Sequence, residues 1–459
     1  HPQEQAGQDA KQVWLAYGQR YEAIFWALQQ SGESGSREAA TEMGRRALTY
    51  VVRAGAYDEL MGFASALVID TRNPRQLQAI IAELQGIVGQ VPQGKTRWSV
   101  RTYLADALRR SGQPEQSLPF YEQSANEAES ARNWSDVGVI CQNWANALRN
   151  VGRLAQAREV CMRSADANRK GDRPEINIIG AELEAFRIDV MQGKTKETLP
   201  EIEERLDKIR DWWERHGKGE TIAEAPDAEI LGRFFISGLD IARFVHRNLK
   251  NWQDSLNLLQ ETETVQRSRG ESEYEIARTR FNQYGPLIRL GRLSEAQAML
   301  EGCLQVFRDA NELTAQSSTL SALANLWKER GDLTRPIDLE RQALSVKECL
   351  DDPTDRAISH GNLSNYLSND GQTEESANHR LAQIVYHLIT QNNQRLFGGE
   401  CLGNLAIDMK ENAQYRLPRL SPLLSNPQFT TLRRFLEQRN VDEGELQEVI
   451  DGKLSELGL

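Results

Sequence analysis

Apolar residues recur at helical spacing along most of this chain of 459 residues. In residues 141–148 four of them fall at i, i+3, i+4 and i+7, and the same spacing recurs in residues 320–327. That spacing places the apolar side chains on one face of a helix, with polar side chains elsewhere. No segment alternates apolar and polar residues as a half-buried strand would. The pattern predicts an all-α protein with essentially no sheet.

Each apolar helical stretch ends at a turn, and the turns repeat. Gly112 and Gly152 are 40 residues apart, and Gly291, Gly331 and Gly371 keep the same interval. Glycine suits the left-handed conformation that closes a helix. Steps of about 40 residues give about ten turns, at Gly32, Arg72, Gly112, Gly152, Gly193, Lys250, Gly291, Gly331, Gly371 and Lys410. This period is typical of stacked helical hairpins, whose core grows one repeat at a time.

In each hairpin a first helix, called helix A, precedes the turn, and a second, called helix B, follows it. A small residue lies five positions after the turn, as Ser117, Ala157, Thr198, Ser255, Ala296 and Ser376. An apolar residue lies nine positions after it, as Tyr121, Cys161, Ile202, Leu259 and Leu300. These fixed positions identify the second helix of the hairpin.

Two places interrupt the repeat. The step from Gly193 to Lys250 is 57 residues, and the excess predicts an insertion at about residues 214–228 that contains a loop. The dipeptide Gly285–Pro286 lies inside a predicted helix A. Because proline removes one backbone donor, it should kink or shorten that helix.

Prolines at positions 418, 422 and 427 end the repeats. We therefore predict a solenoid over residues 1–415 and capping helices over residues 416–459. A solenoid needs a cap because its last repeat otherwise leaves an apolar face open. Four residues are expected to bury that face, namely Leu446, Val449, Ile450 and Leu454.

The repeat resembles that of the tetratricopeptide repeat (TPR) superfamily. That family places a large apolar residue eight positions before the turn and a small one seven before it. Here those pairs are Leu104–Ala105, Trp144–Ala145, Leu323–Ala324, Leu363–Ser364 and Leu402–Gly403. The longer period and the missing helix B proline are similar to kinesin light chain and to bacterial sensor-type TPR regions. The resemblance implies a right-handed superhelical solenoid of about ten repeats, with HEAT-type and other helical repeats as alternatives.

Asparagines recur on helix A, off the apolar stripe. Six of them lie six or nine positions before a turn, namely Asn143, Asn146, Asn325, Asn362, Asn365 and Asn404. The resemblance implies that they face a concave groove and hold the main chain of a bound peptide. An amide suits that role because it carries both a donor and an acceptor. Alternatively, these asparagines bond neighbouring helices.

Cations lie beside the asparagines, two or three positions before the turns. They are Arg109, Arg110, Arg149, Arg247, Arg289 and Lys328. The resemblance places them on the rim of the groove, where guanidinium groups would select an acidic or C-terminal segment. Alternatively, they are solvated cations that the helix macrodipole favours near helix C-termini.

The sequence contains one motif that imitates a nucleotide site. Residues 89–96, with Lys95, satisfy GxxxxGK[ST], but that loop works between a buried strand and a helix. Residues 84–88 instead continue a helical pattern. There is no HExxH, and the five cysteines form no CxxC pair. His360 is expected to pack in the core. We expect no enzymatic activity, no metal site and no cofactor.

Charge and composition narrow the class of partner. The net charge of −11 opposes general binding to phosphate backbones, so nucleic acid is disfavoured. No apolar run reaches the ~20 residues of a membrane helix. The odd number of cysteines, without pairing motifs, indicates reduced thiols in the cytoplasm. The chain begins at His1 rather than Met, so we expect a processed or cloned piece of a longer protein.

The sequence thus predicts a protein- or peptide-binding scaffold or sensor within a larger signalling, regulatory or defence protein. Three alternatives stay open. The first is a regulatory arm that packs in cis on an upstream protease or NTPase domain. The second is an enzyme that uses Lys95 on a nucleotide. The third is a nucleic-acid-binding helical repeat.

Overall fold

Helices make up most of the described part of the chain. The computed structural model describes residues 2–31, 36–71, 73–350, 352–390, 401–412 and 414–456, and these contain helices and no strand. The predicted turns at Gly32 and Arg72 lie outside the described residues. The chain divides into two compact units, His1–Leu249 (unit 1) and Lys250–Leu459 (unit 2).

In both units most helices pack on a neighbour in sequence. The helices of unit 1 are α1 (Pro2–Ser31), α2 (Ser36–Ala54), α3 (Leu60–Asp70), α4 (Pro74–Ile87), α5 (Lys95–Arg110), α6 (Pro114–Ser130), α7 (Trp134–Asn150), α8 (Leu154–Lys170), α9 (Glu175–Met191), α10 (Thr195–Gly217) and α11 (Ala228–Asn248). A 3-10 turn, Tyr57–Glu59, precedes α3.

The helices of unit 2 continue the same pattern and end in shorter elements. They are α12 (Trp252–Ser268), α13 (Glu273–Phe281), α14 (Tyr284–Arg289), α15 (Leu293–Asp309), α16 (Leu313–Glu329), α17 (Arg335–Glu348), α18 (Pro353–Asn369), α19 (Thr373–Ile389), α20 (Leu402–Glu411), α21 (Leu420–Ser425), α22 (Thr430–Glu437) and α23 (Glu443–Glu456). A 3-10 turn, Pro427–Phe429, precedes α22.

Seven of the predicted turn residues have the left-handed backbone that the period requires, whereas Lys410 lies within α20 and the turn predicted there is wrong. Positive φ is found at Gly112, Gly152, Gly193, Lys250, Gly291, Gly331 and Gly371. At Gly152 the φ is +76°, its N–H donates to the carbonyl of Arg149 (3.0 Å), and Arg153 N–H donates to the carbonyl of Leu148 (2.9 Å). This is the Schellman arrangement, which satisfies the last carbonyls of a helix. The predicted repeat is confirmed at these positions.

A second set of left-handed turns halves the period. Arg132, Asp172, Gly270 and Asn311 each lie 20 residues after a first-set turn and also have positive φ. They close helix B and lead into the next helix A. Many of the helices are consequently 17 residues long, including α6 to α9.

Replacing Gly152 with alanine is expected to destabilise unit 1 by about 1–2 kcal/mol, because an L-residue is strained at this φ. A Cβ at Gly152 would meet nothing within 4 Å, so the effect isolates the backbone term. Gly86→Ala is the matched control, since Gly86 lies within α4 and its Cβ is equally free of contacts. It should stabilise by up to about 1 kcal/mol. Urea denaturation followed by circular dichroism measures both, and shifts in the same direction would contradict the assignment.

The helix B positions picked out by the sequence are buried. All six small residues five positions after the turns, from Ser117 to Ser376, are at most 5% exposed. The five apolar residues nine positions after the turns, from Tyr121 to Leu300, are buried as well. Small side chains at the first position let helix B approach its neighbours closely.

The extra residues between Gly193 and Lys250 are shared between helices and a loop. Helix α10 is 23 residues long and α11 is 21, so residues 214–217 are helical rather than part of an inserted loop. The loop itself covers residues 218–227. It is anchored where Ile176 N–H donates to the carbonyl of Glu224 (3.0 Å) and where Ile222 is buried.

The break predicted at Gly285–Pro286 is present. Helix A of that repeat is divided into α13 and α14, separated by Asn282 and Gln283. Pro286 has no N–H to donate and its ring crowds the preceding turn, which disfavours a continuous helix here.

The C-terminal elements share one hydrophobic core with α18 and α19. Phe429, Leu436, Leu446 and Ile450 pack in the same cluster as Leu381. Leu454 is half-buried against it, but Val449 is 48% exposed. The prediction that Val449 helps to bury the last face is therefore wrong. In α23, Leu446 and Ile450 point to the core, and Val449 points away.

Candidate functional site

The A helices of unit 1 are joined by a row of polar side chains. We call it the unit 1 polar face, and it comprises Asp106, Asn143, Asn146, Arg149, Glu184, Arg187 and Asp240. Asn143 Nδ2 on α7 donates to Asp106 Oδ2 on α5 (3.4 Å). The row continues from α7 to α9 and from α9 to α11 through ion pairs. Each A helix is therefore bonded to the next by a polar contact.

The two ion pairs place arginines against carboxylates. Arg149 Nη1 donates to Glu184 Oε2 (3.0 Å), while Arg149 Nη2 donates to Asn146 Oδ1 (2.9 Å). Arg187 Nη1 donates to Asp240 Oδ2 (3.2 Å). Burial alone would raise the pKa of Asp240, but hydrogen bonds from Arg243 and Arg187 outweigh burial and lower it. These arginines are therefore already neutralised within the protein.

At the α5 end the polar face contains a half-buried acid. Tyr121 OH on α6 donates to Asp106 Oδ1, and Arg109 Nη2 lies 3.6 Å from the same oxygen. Burial raises the pKa of Asp106, and the Tyr121 and Arg109 contacts offset only part of that effect. Arg110 points elsewhere, because it donates to the carbonyl of Ile69 at the end of α3.

A cavity of about 190 Å³ opens on the polar face. Asn143, Asn146, Arg149 and Glu184 line it, together with Gln142 and the ring of Phe234. Its apolar side is Ala145, Cys161 and Ile188. Amide groups that can both donate and accept thus surround a space with an apolar wall, which can take a side chain of a bound polypeptide.

In unit 2 the predicted asparagines bond other parts of the protein. Asn325 Nδ2 donates to Tyr284 OH (2.6 Å), and Asn365 Oδ1 accepts from Arg380 Nη2 (2.6 Å). Asn362 lies beside the buried carboxyl of Glu340 and lowers its pKa, although burial raises it more. These unit 2 asparagines therefore form hydrogen bonds within the protein, as the alternative interpretation of the sequence predicts. A role for these amides in holding a partner stays a prediction.

The remaining predicted residues are not brought into these contacts. Arg289 is exposed, with its Cζ 5.9 Å from the Trp252 ring centroid. Lys328 is exposed, and Asn404 is half-buried on α20. In unit 1, Arg247 has its Cζ 5.1 Å from the ring centroid of Phe244.

Sequence reasoning missed four residues of the polar face, namely Asp106, Glu184, Arg187 and Asp240. Asp106 and Arg187 each lie six positions before a turn, the position that Asn146 occupies in its own repeat. Glu184 lies nine positions before Gly193, as Asn143 does before Gly152. The position in the repeat therefore marks Asp106, Glu184 and Arg187, whereas residue type alone does not.

The motif at residues 89–96 is not a phosphate loop. It joins α4 to α5, so a helix stands where the nucleotide fold needs a strand. Among the described residues, no group of three or more His, Cys, Asp or Glu side chains is placed to hold a metal ion. No described helix is both long and apolar enough to cross a membrane.

Comparisons with known proteins identify the architecture. No protein-family model matches the sequence, and no curated protein matches it. The structure is similar to that of a Signal Transduction ATPase with Numerous Domains (STAND) protein with a tetratricopeptide repeat sensor, from Pyrococcus horikoshii. The TM-score is 0.54 at 10% identity, over 80% of this chain and 55% of that one. The chain has a TPR-like repeat fold.

Two further matches have lower scores. Aspartyl phosphate phosphatase F from Bacillus subtilis gives a TM-score of 0.48 at 10% identity, over 83% of this chain and 94% of that one. Kinesin light chain TPR-like repeats from Podosopora anserina give 0.37 at 15% identity, over 47% and 98%. The predicted all-α fold of TPR-like repeats is confirmed by the match to the STAND protein, and the unit 1 polar face lies on the first helices of its TPR-like pairs.

Proposed function

We propose that this chain is a protein-binding TPR-like module and that the unit 1 polar face holds an extended segment of the partner. The observation that supports this most is the cavity where Asn143, Asn146 and Arg149 meet the Phe234 ring. It combines main-chain-binding amides with an apolar wall. Catalysis is not part of the proposal.

The hydrogen bonds of the two asparagines leave capacity for a partner. Asn146 uses its Oδ1 as an acceptor for Arg149, which leaves its Nδ2 hydrogens for a carbonyl of the segment. The bond from Asn143 to Asp106 is 3.4 Å, at the long end of the range, so a well-placed main-chain carbonyl can compete for Asn143 Nδ2. Main-chain recognition of this kind is independent of the partner's side chains.

A preference for an acidic segment, which the sequence predicts, requires an exchange of partners. Arg149 is bound to Glu184 and Arg187 to Asp240. An incoming carboxylate has to displace Glu184 from Arg149, so its gain is the difference between two similar ion pairs. We propose that the main chain contributes more to affinity here than charge does.

Asn146→Ala is expected to weaken a bound peptide about fivefold to tenfold, the effect of losing one hydrogen bond of ~1–1.5 kcal/mol. Peptides selected from a random phage-displayed library on the wild-type chain provide the ligands, and fluorescence anisotropy measures their affinity.

Asn126→Ala is the matched control. Asn126 lies on helix B, is exposed, and accepts from Arg163 Nη2 at 2.9 Å, the same distance as the Arg149–Asn146 bond. Equal affinities in the two variants would remove the site from the polar face. Failure of the library to yield any ligand would count against peptide binding itself.

More specifically, we propose that this module is a sensor arm within a larger signalling or defence protein. The STAND protein, of which this chain covers 55%, carries its TPR region as a sensor beside other domains. The complete reading frame tests this form, since an ATPase or protease domain encoded upstream would support a cis arrangement.

A further inference from the structure

A larger cavity, of about 630 Å³, lies in unit 2 beside the break between α13 and α14. We call it the unit 2 aromatic cavity. Three aromatic side chains and three charged ones characterise it, namely Tyr274, Phe281, Phe307, Glu275, Arg278 and Glu312. They come from α13, from α15 and from the start of α16. No residue of the unit 1 polar face takes part.

Three aromatic rings form part of the wall of this cavity. Phe307 is 1% exposed, and its ring centroid is 5.9 Å from that of Tyr274, with the ring planes at 76°. Phe281 and Tyr274 are half-buried against the same small cluster. Ring faces that border a cavity attract cations through their negative quadrupole and also accommodate aliphatic stems.

The charges around the rings are negative in sum. Glu275 and Glu312 contribute two carboxylates, and Arg278 contributes one guanidinium. Within the described part of the chain Glu312 forms no ion pair, and it precedes the first residue of α16. A negative side chain at that helix N-terminus reduces its attraction for anions. The formal charge of −11 on the whole chain acts in the same direction.

One guanidinium of the cavity wall makes the two contacts that we expect of a bound basic side chain. Arg278 Nη1 donates to Glu275 Oε2 (3.1 Å), and Arg278 Cζ lies 5.9 Å from the Tyr274 ring centroid. A carboxylate and a ring thus hold this cation together. Glu312 offers a carboxylate to a second cation, and the ring surface that Arg278 does not cover offers an aromatic contact.

We propose that the unit 2 aromatic cavity binds the basic side chain, arginine or lysine, of a partner polypeptide. The carboxylate of Glu312 pairs with the charged end, and the half-buried rings of Phe281 and Tyr274 contact the aliphatic stem. A cavity of 630 Å³ is within the range of small-ligand sites and has room for the neighbouring residues of the segment. This specificity is separate from main-chain binding on the unit 1 polar face.

Titration of the whole chain with N-acetyl-arginine amide, followed by saturation-transfer difference NMR, tests the proposal. The uncharged analogue N-acetyl-citrulline amide keeps the shape of the side chain and removes its charge. We expect arginine to bind at least about fivefold more tightly than citrulline, since the carboxylate and ring terms both need the charge. Equal binding of the two compounds, or tighter binding of N-acetyl-glutamate amide, would overturn the proposal.

Two variants locate the binding. Glu312→Gln should weaken arginine binding severalfold, and Tyr274→Leu should weaken it by removing a ring face. Glu301→Gln is the control, because Glu301 is exposed on α15 outside the cavity and its replacement changes the net charge equally. If Glu301→Gln and Glu312→Gln have the same effect, the cation responds to overall charge, and the cavity is not its site. Loss of peptide binding in Asn146→Ala does not bear on this outcome.

Discussion

Replacing Asp408 with alanine is expected to destabilise unit 2 by about 3–5 kcal/mol, because it leaves a buried guanidinium without its counter-charge. Arg380 is fully buried, and its Nη2 lies 3.0 Å from Asp408 Oδ2. Asn365 and Gln383 accept its other hydrogen bonds, but neither carries a charge. Urea denaturation followed by circular dichroism gives the loss, and hydrogen exchange locates it in unit 2.

An exposed pair in the same unit provides the control for Asp408→Ala. Arg419 Nη1 lies 2.5 Å from Asp451 Oδ2, and the side chains are 68% and 49% exposed. Asp451→Ala should therefore change stability by less than about 1 kcal/mol. If Asp408→Ala has as little effect as Asp451→Ala, the guanidinium of Arg380 is not held by this pair.

Acidification from pH 7.5 to 5.5 is expected to destabilise unit 2 by up to about 3 kcal/mol through two buried histidines. His360 Nδ1 and His379 Nδ1 are 2.8 Å apart, so one ring donates and the other accepts, and both cannot carry the Nδ1 proton in this geometry. The rings are 2% and 4% exposed, and Phe429 packs against both.

The sign of this pH effect follows from the pKa shifts. Burial lowers the pKa of His360 and, despite the opposing charge of Glu375, that of His379. The unfolded chain then binds more protons below its histidine pKa of about 6.5, so stability is complete above that pH and falls below it. Glu375 has a pKa lowered to about 2, chiefly by its interaction with His379, whose Nε2 lies 3.9 Å from Glu375 Oε1, so its own contribution is lost only at more acidic pH.

Other charges near the histidines make a variant comparison necessary. Arg341 bonds Glu375, Arg356 acts on His360, and the raised pKa of Glu340 opposes the trend in acid. The double variant His360→Phe/His379→Phe keeps two rings and removes both titrations. Its stability, measured by urea denaturation at the two pH values, should change far less than that of the wild type. Equal losses would assign the acid sensitivity to other groups.

Much of the fold could be predicted because helix A usually ends at a glycine, and glycine is recognisable in the sequence as a residue that suits a left-handed turn. Gly112, Gly152 and Gly331 mark the turn by their identity, and the apolar spacing identifies the helices around it. The helix B turns use Arg132, Asp172 and Asn311 at the same backbone conformation. There the hydrogen bonds that close the helix outweigh the strain of a Cβ, so residue type marks these turns less clearly than it marks the helix A turns.

The candidate site was harder to predict because it consists of pairs of side chains that come from different repeats. The sequence identifies Asn143, Asn146 and Arg149 as polar positions on helix A, and the structure brings them to one cavity. It does not show that Glu184 lies opposite Arg149, since that depends on how far one repeat rotates relative to the next. Contacts between repeats are decided by this rotation, and spacing along the chain does not record it.

The predicted asparagines therefore differ in their value for experiments. Asn365→Ala would remove an acceptor from the buried Arg380 as well as any amide for a partner. A loss of binding in that variant would not separate recognition from stability. Asn146 is the better choice, because its bond to Arg149 is at the half-buried surface.

The 20-residue alternation of left-handed turns also bears on how such a chain can change length. Each turn is closed by hydrogen bonds within a few residues of itself, so a duplicated or deleted stretch of about 40 residues brings an equivalent turn to the same place. A duplication or deletion of about 40 residues preserves the alternation of helix A and helix B. A change of a different length within a helix disrupts that alternation. Insertions of other sizes are compatible with the fold where no helix has to keep phase, as in the loop at residues 218–227. The architecture thus favours the gain or loss of whole helical hairpins when the gene changes length.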